Sequence, residues 1–360
     1  MAVQKSMSDG TEVDTLVEQV RAAAAQSTPL VIRGGGSKDF LGRRTMGTTL
    51  DVSGLRGIVH YEPTELVITA RAGTPLLEVE AALAERGQML GFEPPHFTAN
   101  ATLGGTLACG LSGSARPFRG SARDFLLGTK IINGMGEPLS FGGEVMKNVA
   151  GYDVSRLMCG AYGTLGVLLE VSLKVLPRPA SEITLTLELD HHDAITRMSE
   201  WQRDPLPLSG LCYDGDRLHV RLSGAEQAVS GARRRLGGEI EVDGATFWQR
   251  LREHRSAFFE GSGDLWRLSV PSTTRTLAVA GKQFIDWGGA LRWLKTTEDA
   301  KDIFAAAGAA GGHAMRFRGA ADAQAVFQAL PAPLLALHQR LKKSFDPHGI
   351  LNPGRLYPEF

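Results

Sequence analysis

The chain has no excess of charge of either sign. Lys and Arg number 39, and Asp and Glu also number 39, so the formal net charge is zero. Nucleic-acid binding neutralises phosphates and normally leaves a basic excess, so that class is set aside. Cysteine is scarce: Cys109, Cys159 and Cys212 cannot all pair, and no CxxC occurs. A disulfide framework is thereby excluded, and a structural zinc or iron–sulfur cluster in this chain is not expected. No run approaches the ~18 apolar residues of a membrane-crossing helix. Residues 1–10 are polar and lack the apolar centre of a secretory signal. The expectation is a cytoplasmic protein whose only contact with lipid would be peripheral, at the inner face of the cell membrane.

Glycine is what the chain has in plenty, 43 of 360 residues, against a usual share of about 7%. Three glycine-punctuated segments abut apolar residues. They are Val31-Ile32-Arg33-Gly34-Gly35-Gly36-Ser37-Lys38, Thr102 to Gly113, and Tyr162-Gly163-Thr164-Leu165-Gly166-Val167. Glycine lets backbone approach a ligand closely and tolerates φ > 0. Successive exposed amides can cradle an anion. The first segment is neither a Walker A loop nor a full Rossmann fingerprint. It still suits a pyrophosphate: amides for the oxygens, the Ser37 hydroxyl, and Arg33 or Lys38 for charge. An ordinary glycine-rich turn is an equal reading of that loop alone. Should Gly35 take φ > 0, alanine there would cost about 1–2 kcal/mol.

Apolar spacing predicts a helix over 11–26 and strands at 30–32, 50–52, 58–61 and 66–70. Thr74 reads as the N-cap, and Pro75 as the first residue, of a helix ending near Arg86. Further strands are expected at 125–133 and 167–175. Pro177-Arg178-Pro179 marks a boundary. Beyond it, alternating strands at 182–189 and 218–222 and a helix over 193–202 suggest an α+β domain with an antiparallel sheet.

The motifs taken together resemble the FAD-linked oxidase family, the vanillyl-alcohol-oxidase-like flavoproteins. The first loop is similar to the family's VxRGGGS loop on the FAD pyrophosphate. Thr102 to Gly113 resembles the stretch along the phosphates and flavin. Lys147-Asn148-Val149-Ala150-Gly151-Tyr152-Asp153, with Leu157 and Gly163 to Val167, resembles the KNxxGYD…GTLG[IV] signature. Phe345 to Gly354 resembles the DPxGILNPG ending that returns to the flavin.

The resemblance implies an α+β fold. A two-subdomain FAD-binding domain (1–180) would carry a smaller cap with an antiparallel sheet (181–335), and a tail (336–360) would return to the first domain. It implies FAD contacts at Arg33, Gly34, Gly35, Gly36, Ser37, Lys38, Thr102, Leu103, Gly104, Gly105, Thr106, Cys109, Gly110, Gly113, Gly166, Val167 and Asn352. No histidine lies between Arg33 and Asp39, so non-covalent FAD is expected. Cys109 reads as a small buried residue rather than a flavin linkage.

Within the family the chain most resembles the FAD-binding subunits of bacterial glycolate oxidase. Its short cap and Gly312 to Arg318 carry that likeness. The implied activity is oxidation of glycolate, a small 2-hydroxy acid, to glyoxylate within a complex. A second flavoprotein subunit and an iron–sulfur subunit would be partners. Two alternatives stay open: a stand-alone FAD-dependent dehydrogenase for D-lactate or another 2-hydroxy acid, and a non-catalytic FAD-holding relay subunit. The self-sufficient dehydrogenases carry an H-x-GDGN-x-H type cluster, of which this chain matches only His313.

His313 is the candidate general base, with a structural histidine the other reading. Arg316, Arg318, Arg116 and Arg119 are candidates to hold a substrate carboxylate. His191-His192 reads as surface. Arg233-Arg234-Arg235 reads as a solvated helix face or a dock for an acidic partner or lipid. Trp287 and Trp293 read as cap core or as interface.

Overall fold

Leu16, Val17 and Val20 recur at helical spacing, and the helix Ser8–Gln26 buries them against Leu30, Leu50, Ile350 and Leu351. The computed structural model describes residues 8–143, 153–275, 277–319 and 325–360. Strand β1 (Leu30–Arg33) pairs in parallel with β2 (Thr48–Asp51). A parallel bridge joins Leu30 to Leu351, 321 residues further on. These elements make one small core.

A second core lies beside it in the chain's first unit. Here β3 (Ile58–Glu62), β4 (Val67–Arg71), β5 (Gln88–Met89), β6 (Leu126–Ile132), β7 (Pro138–Gly142), β8 (Val167–Lys174) and β9 (Leu176–Pro177) follow in order. Five of them form an antiparallel sheet, β3-β4-β8-β6-β7, and β5 pairs with β9. The helix Leu76–Ala84 lays Leu76, Val79 and Leu83 onto this core. Its N-cap position is Pro75, not Thr74. The Thr74 hydroxyl instead accepts from the Gly57 amide at 2.9 Å, bracing a neighbouring turn.

Contacts divide the chain into two units. The first comprises Met1–Leu111, Ser121–Pro177 and Ala329–Phe360; the second comprises Ser112–Gly120 and Arg178–Gln328. The stretch 112–120, read from sequence as part of the first domain, belongs to the second unit. Its anchors are specific. Ser114 Oγ donates to Asp286 at 2.8 Å, and Trp287 Nε1 donates to the Gly113 carbonyl at 3.0 Å.

The second unit is built on an eight-stranded antiparallel sheet. Its strands are β10 (Ser181–Glu188), β11 (Leu208–Tyr213), β12 (Arg217–Gly224), β13 (Glu239–Ile240), β14 (Leu265–Ser269), β15 (Lys282–Asp286), β16 (Leu291–Lys295) and β17 (His313–Arg318). The order is β13-β10-β12-β11-β15-β16-β14-β17. Ala194, Ile195, Met198 and Trp201 of the helix His191–Trp201 pack on one half with Leu211, Leu218 and Val220. The helix Ala300–Ala309 covers Trp266, Leu268 and Leu294 on the other. Trp287 and Trp293 are both buried, as core. Among the described residues, no helix is long and apolar enough to cross a membrane.

One buried histidine gives this unit a pH dependence. His254 stacks on Phe259 at 4.0 Å and meets Trp293 edge-on at 4.6 Å. Burial, with the charges of Arg318 and Arg267, holds it well below the ordinary histidine value. The unfolded chain therefore binds the extra proton first as pH falls. The stability this neutral ring contributes is complete above about pH 6.5 and is lost on acidification below it. The expected slope is about 1.4 kcal/mol per pH unit at most. Melting temperature of the second unit from pH 7.5 to 5 should fall in the native chain and fall less steeply in His254→Phe.

Candidate cofactor site

The three glycine segments meet in the first unit. The middle one is not a loop: Leu103–Cys109 is a helix, because Thr102 Oγ1 caps it by accepting from the Gly105 amide at 3.3 Å. Gly110 closes it in the left-handed conformation, φ +63°. The first segment lies against its start, where a Cβ on Gly34 would fall 2.5 Å from Thr102 Oγ1. The third runs along its end, with the Gly160 and Tyr162 amides donating to Leu107 and Ala108 carbonyls at 3.0 and 2.9 Å.

The tail closes the arrangement through one side chain. Asn352 Oδ1 accepts from the Ile32 amide at 2.8 Å, and Nδ2 donates to the Tyr162 carbonyl at 2.7 Å. Behind it is a buried ion pair. Lys342 Nζ donates to Asp346 Oδ2 at 2.7 Å and to the carbonyls of Thr164 and Leu351 at 2.8 and 2.7 Å. Asp346 in turn accepts from the Ile350 and Leu351 amides. Burial lowers the Lys342 pKa, against the pull of Asp346.

These elements line a cleft whose free space, open solvent at its mouth included, is about 510 Å³. Its lining is mostly glycine, alanine and aliphatic: Gly34, Gly104, Gly105, Gly163, Gly166, Ala72, Ala108, Ala161, Ile32, Val52, Met158 and Leu168, with Tyr162 and Asn352. A Cβ on Gly105 would meet one protein atom within 4 Å, Thr102 Oγ1 at 3.1 Å, so a larger side chain there would occupy the cleft. A space walled by backbone and small apolar groups lets a flat ring system lie close against the chain. The residues present fit FAD.

Of the residues singled out from sequence, Gly34, Gly104, Gly105, Gly166 and Asn352 line the cleft. Gly35 and Gly36 adjoin it as part of the first loop. The positive φ is at Gly36 (+70°), not Gly35. Gly35 is glycine for another reason, since a Cβ there would fall 1.4 Å from the Asn100 carbonyl oxygen. Arg33 pairs with Asp39 at 2.8 Å, and Lys38 is buried with Nζ 3.2 Å from Ser37 Oγ. Leu103, Thr106 and Val167 are core, and Gly113 belongs to the second unit. Lys147 to Tyr152 lie outside the described residues; Asp153 caps the helix Val154–Met158 by accepting from the Arg156 amide. Val52, Ala72, Met158 and Leu168 were missed, and isolated apolar residues carry no signal for such a role.

Cys109 is half-buried at the end of the capped helix. Burial raises its pKa despite Lys38 and Arg355, and pushes Cys159 up to about 11. Buried Cys212 is raised well above the ordinary value. Thiolate is the reactive form, so native protein at pH 7.5 should resist iodoacetamide and the unfolded chain should take up three labels. Rapid single labelling at Cys109 in the native protein would contradict this account.

In the second unit, His313 and Arg316 do not come together. They are three apart on β17, so they point to opposite faces. Arg316 stacks on Trp266 and pairs with Asp264 at 3.2 Å. His313 faces the other way, where crowding and the charges of Arg267 and Arg116 lower its pKa. Arg119 lies 3.9 Å from Glu182, and Arg235 pairs with Asp204 at 2.6 Å. Half-buried His191 contacts the Arg275 carbonyl at 3.0 Å, and His192 is exposed.

A two-core unit holding a glycine-walled cleft, followed by a unit on an antiparallel sheet, has the architecture of a flavin-binding oxidoreductase. Comparison with known proteins agrees. A pattern described as an FAD binding domain matches residues 10–142, and one described as the C-terminal domain of FAD linked oxidases matches residues 318–356. The chain is 57% identical over 344 residues to the glycolate oxidase subunit GlcE of Escherichia coli (strain K12), covering 96% of this chain and 97% of that protein. It is 29% identical to the glycolate oxidase subunit GlcD of Bacillus subtilis (strain 168), over 46% of this chain and 36% of that one. A solved alkyldihydroxyacetonephosphate synthase shares the fold, with TM-score 0.65 and 15% identity, covering 94% of this chain and 74% of the synthase. The chain belongs to the FAD-linked oxidase family, and its first unit carries the FAD-binding domain.

Proposed function

We propose that the chain is the FAD-binding subunit of a glycolate oxidase or dehydrogenase complex that converts glycolate to glyoxylate. Bound FAD would supply a two-electron acceptor, from which an iron–sulfur partner subunit draws. The observation that carries this reading is the cleft lined by Gly34, Gly104, Gly105, Gly163 and Gly166 and closed by Asn352. It is supported by the near full-length likeness to a glycolate oxidase subunit.

Each part of the chain then has a task. Amides of the Gly34 to Ser37 loop and the Ser37 hydroxyl would hold the pyrophosphate, with Lys38 supplying charge. Ala72, Ala108 and Ala161 leave room for the ring system and keep water from it. Asn352 fixes the loop and the third segment relative to each other. No histidine lies between Arg33 and Asp39 and burial keeps the Cys109 thiol protonated, so the cofactor would be held without a covalent bond; acid precipitation should release all flavin into the supernatant.

The experiment is anaerobic addition of glycolate, and separately D-lactate, to the flavin-loaded chain and to the assembled complex. The expected result is bleaching of the flavin band in the complex and none in the chain alone. Bleaching in the isolated chain would replace this reading with a stand-alone 2-hydroxy-acid dehydrogenase. Persistence of the oxidised band of this chain in a turning-over complex would assign it a purely FAD-holding role.

A further inference from the structure

Two exposed patches of opposite charge lie outside the cofactor cleft. Strand β13 (Glu239–Ile240) is the last strand on one side of the second unit's sheet. The run Glu239-Ile240-Glu241-Val242-Asp243 carries three carboxylates and no base. Ile240 is 43% exposed and Val242 91%. Glu239 and Asp243 are exposed, and Glu241 is half-buried. Among the described residues, none of these three carboxylates has an ion-pair partner. Beside them is a hollow lined by Glu241, Asp243, Thr246, Phe247 and Ser256. The Ser256 hydroxyl is buried there without a partner. Arg250, also on its wall, donates to the Arg255 carbonyl at 3.3 Å.

The helix Ala332–Phe345 of the first unit is the counterpart. It holds Arg340, Lys342 and Lys343 and no Asp or Glu. Leu341 and Phe345 pack on the core, and Lys342 is buried. The opposite side looks outward, with Pro333, Ala336, Leu337, Arg340 and Lys343 exposed. Leu337 is 50% exposed and Leu334 40%. Steps of three along the helix make Leu334, Leu337, Arg340 and Lys343 successive neighbours on its surface. Neither Arg340 nor Lys343 has an ion-pair partner among the described residues. Exposed leucines beside two unpaired cations thus mirror the exposed Ile240 and Val242 beside three unpaired carboxylates.

We propose that the outward face of the helix Ala332–Phe345 docks on the β13 edge and its hollow in a second copy of this chain. Charge sets the pairing. Two copies meeting through the same patch would place carboxylate against carboxylate, or cation against cation, which is unfavourable. Unlike patches bring Arg340 and Lys343 to Glu239, Glu241 and Asp243. Leu334 and Leu337 then cover Ile240 and Val242 and take their apolar surface out of water. The hollow receives the long cationic side chains. Such a contact is heterologous, so each copy offers one patch of each kind, and copies join in a closed ring or an open series. The proposal depends neither on the activity proposed above nor on the identity of the cofactor.

Sedimentation velocity of the full chain, over a range of concentrations at low and at high salt, tests this. Concentration-dependent association is expected, weaker at high salt because the ion pairs are near the surface. The charge reversals Arg340→Glu/Lys343→Glu and Glu239→Lys/Glu241→Lys should each weaken self-association at least about tenfold. An equimolar mixture of the two variants should restore it, since the reversed helix of one then fits the reversed edge of the other. Val242→Ser removes apolar area without touching charge and should also weaken association. Leu77→Ser, at an exposed leucine of the helix Leu76–Ala84, should associate as the native chain does. Circular dichroism and flavin content report whether each variant folds. If a reversal variant does not fold, Val242→Ser and Leu337→Ser, both at exposed positions, decide the matter. A native chain that stays monomeric at every concentration would overturn the proposal. So would folded reversal variants that associate like the native chain, or a mixture that associates no better than either variant alone. A monomeric native chain whose reversal variants fail to enter a larger complex would assign the two faces to another subunit, and a second copy would be ruled out.

Discussion

Gly35→Ala is expected to abolish flavin retention and to destabilise the first unit by about 3 kcal/mol or more. The reason is steric. The added Cβ would fall 1.4 Å from the Asn100 carbonyl oxygen, a backbone atom that no side-chain rotation can move aside. Either the first loop, which borders the cleft, or the segment that leads into the helix Leu103–Cys109 must shift. Gly36→Ala separates this cause from backbone conformation. Gly36 takes φ +70°, and its Cβ would meet the movable end of Arg33. It should cost only about 1–2 kcal/mol. Flavin content per purified chain, with urea unfolding followed by released-flavin fluorescence, gives both numbers. Equal effects of the two substitutions would refute the steric account.

Asp346→Ala should destabilise the same unit by about 3–5 kcal/mol. It would leave the Lys342 ammonium buried without its counter-ion and two backbone amides without an acceptor. Lys342→Met should cost a similar amount by stranding the carboxylate. The double variant Lys342→Met/Asp346→Leu should be closer to native than the sum of the two, because it removes both charges from the interior. The tail holds Asn352, so flavin affinity should fall in each single variant. Full additivity in urea unfolding would show that the two residues act independently.

Much of the cofactor cleft was legible because glycine is a strong signal. The segments at 34–36, 102–110 and 162–166 do converge, and the tail motif does reach them through Asn352. What hid was the cause at individual positions. Nothing near Gly35 in sequence shows that Asn100 passes over it, sixty-five residues away. Nor does the segment 112–120 announce that Asp286 and Trp287 will claim it. In the second unit, strands such as Leu291–Lys295 and His313–Arg318 carry arginines among apolar residues, which blurs their alternation. One miss was avoidable. A spacing of three on a strand already places His313 and Arg316 on opposite faces.

The order in which the chain is made now matters. The first unit needs its last stretch, because Leu30 bridges Leu351 and Ile32 waits for Asn352. The second unit is finished once Gln328 has emerged. At translation speeds of about 5–20 residues per second, the apolar faces around Leu30 and Leu50 stay uncovered for roughly 15–60 s, while the 300 residues between Leu50 and Leu351 are synthesised. During biosynthesis the later unit therefore matures first. A nascent chain stalled before Leu351 would expose its flavin half to chaperones and proteases while its other half was already folded.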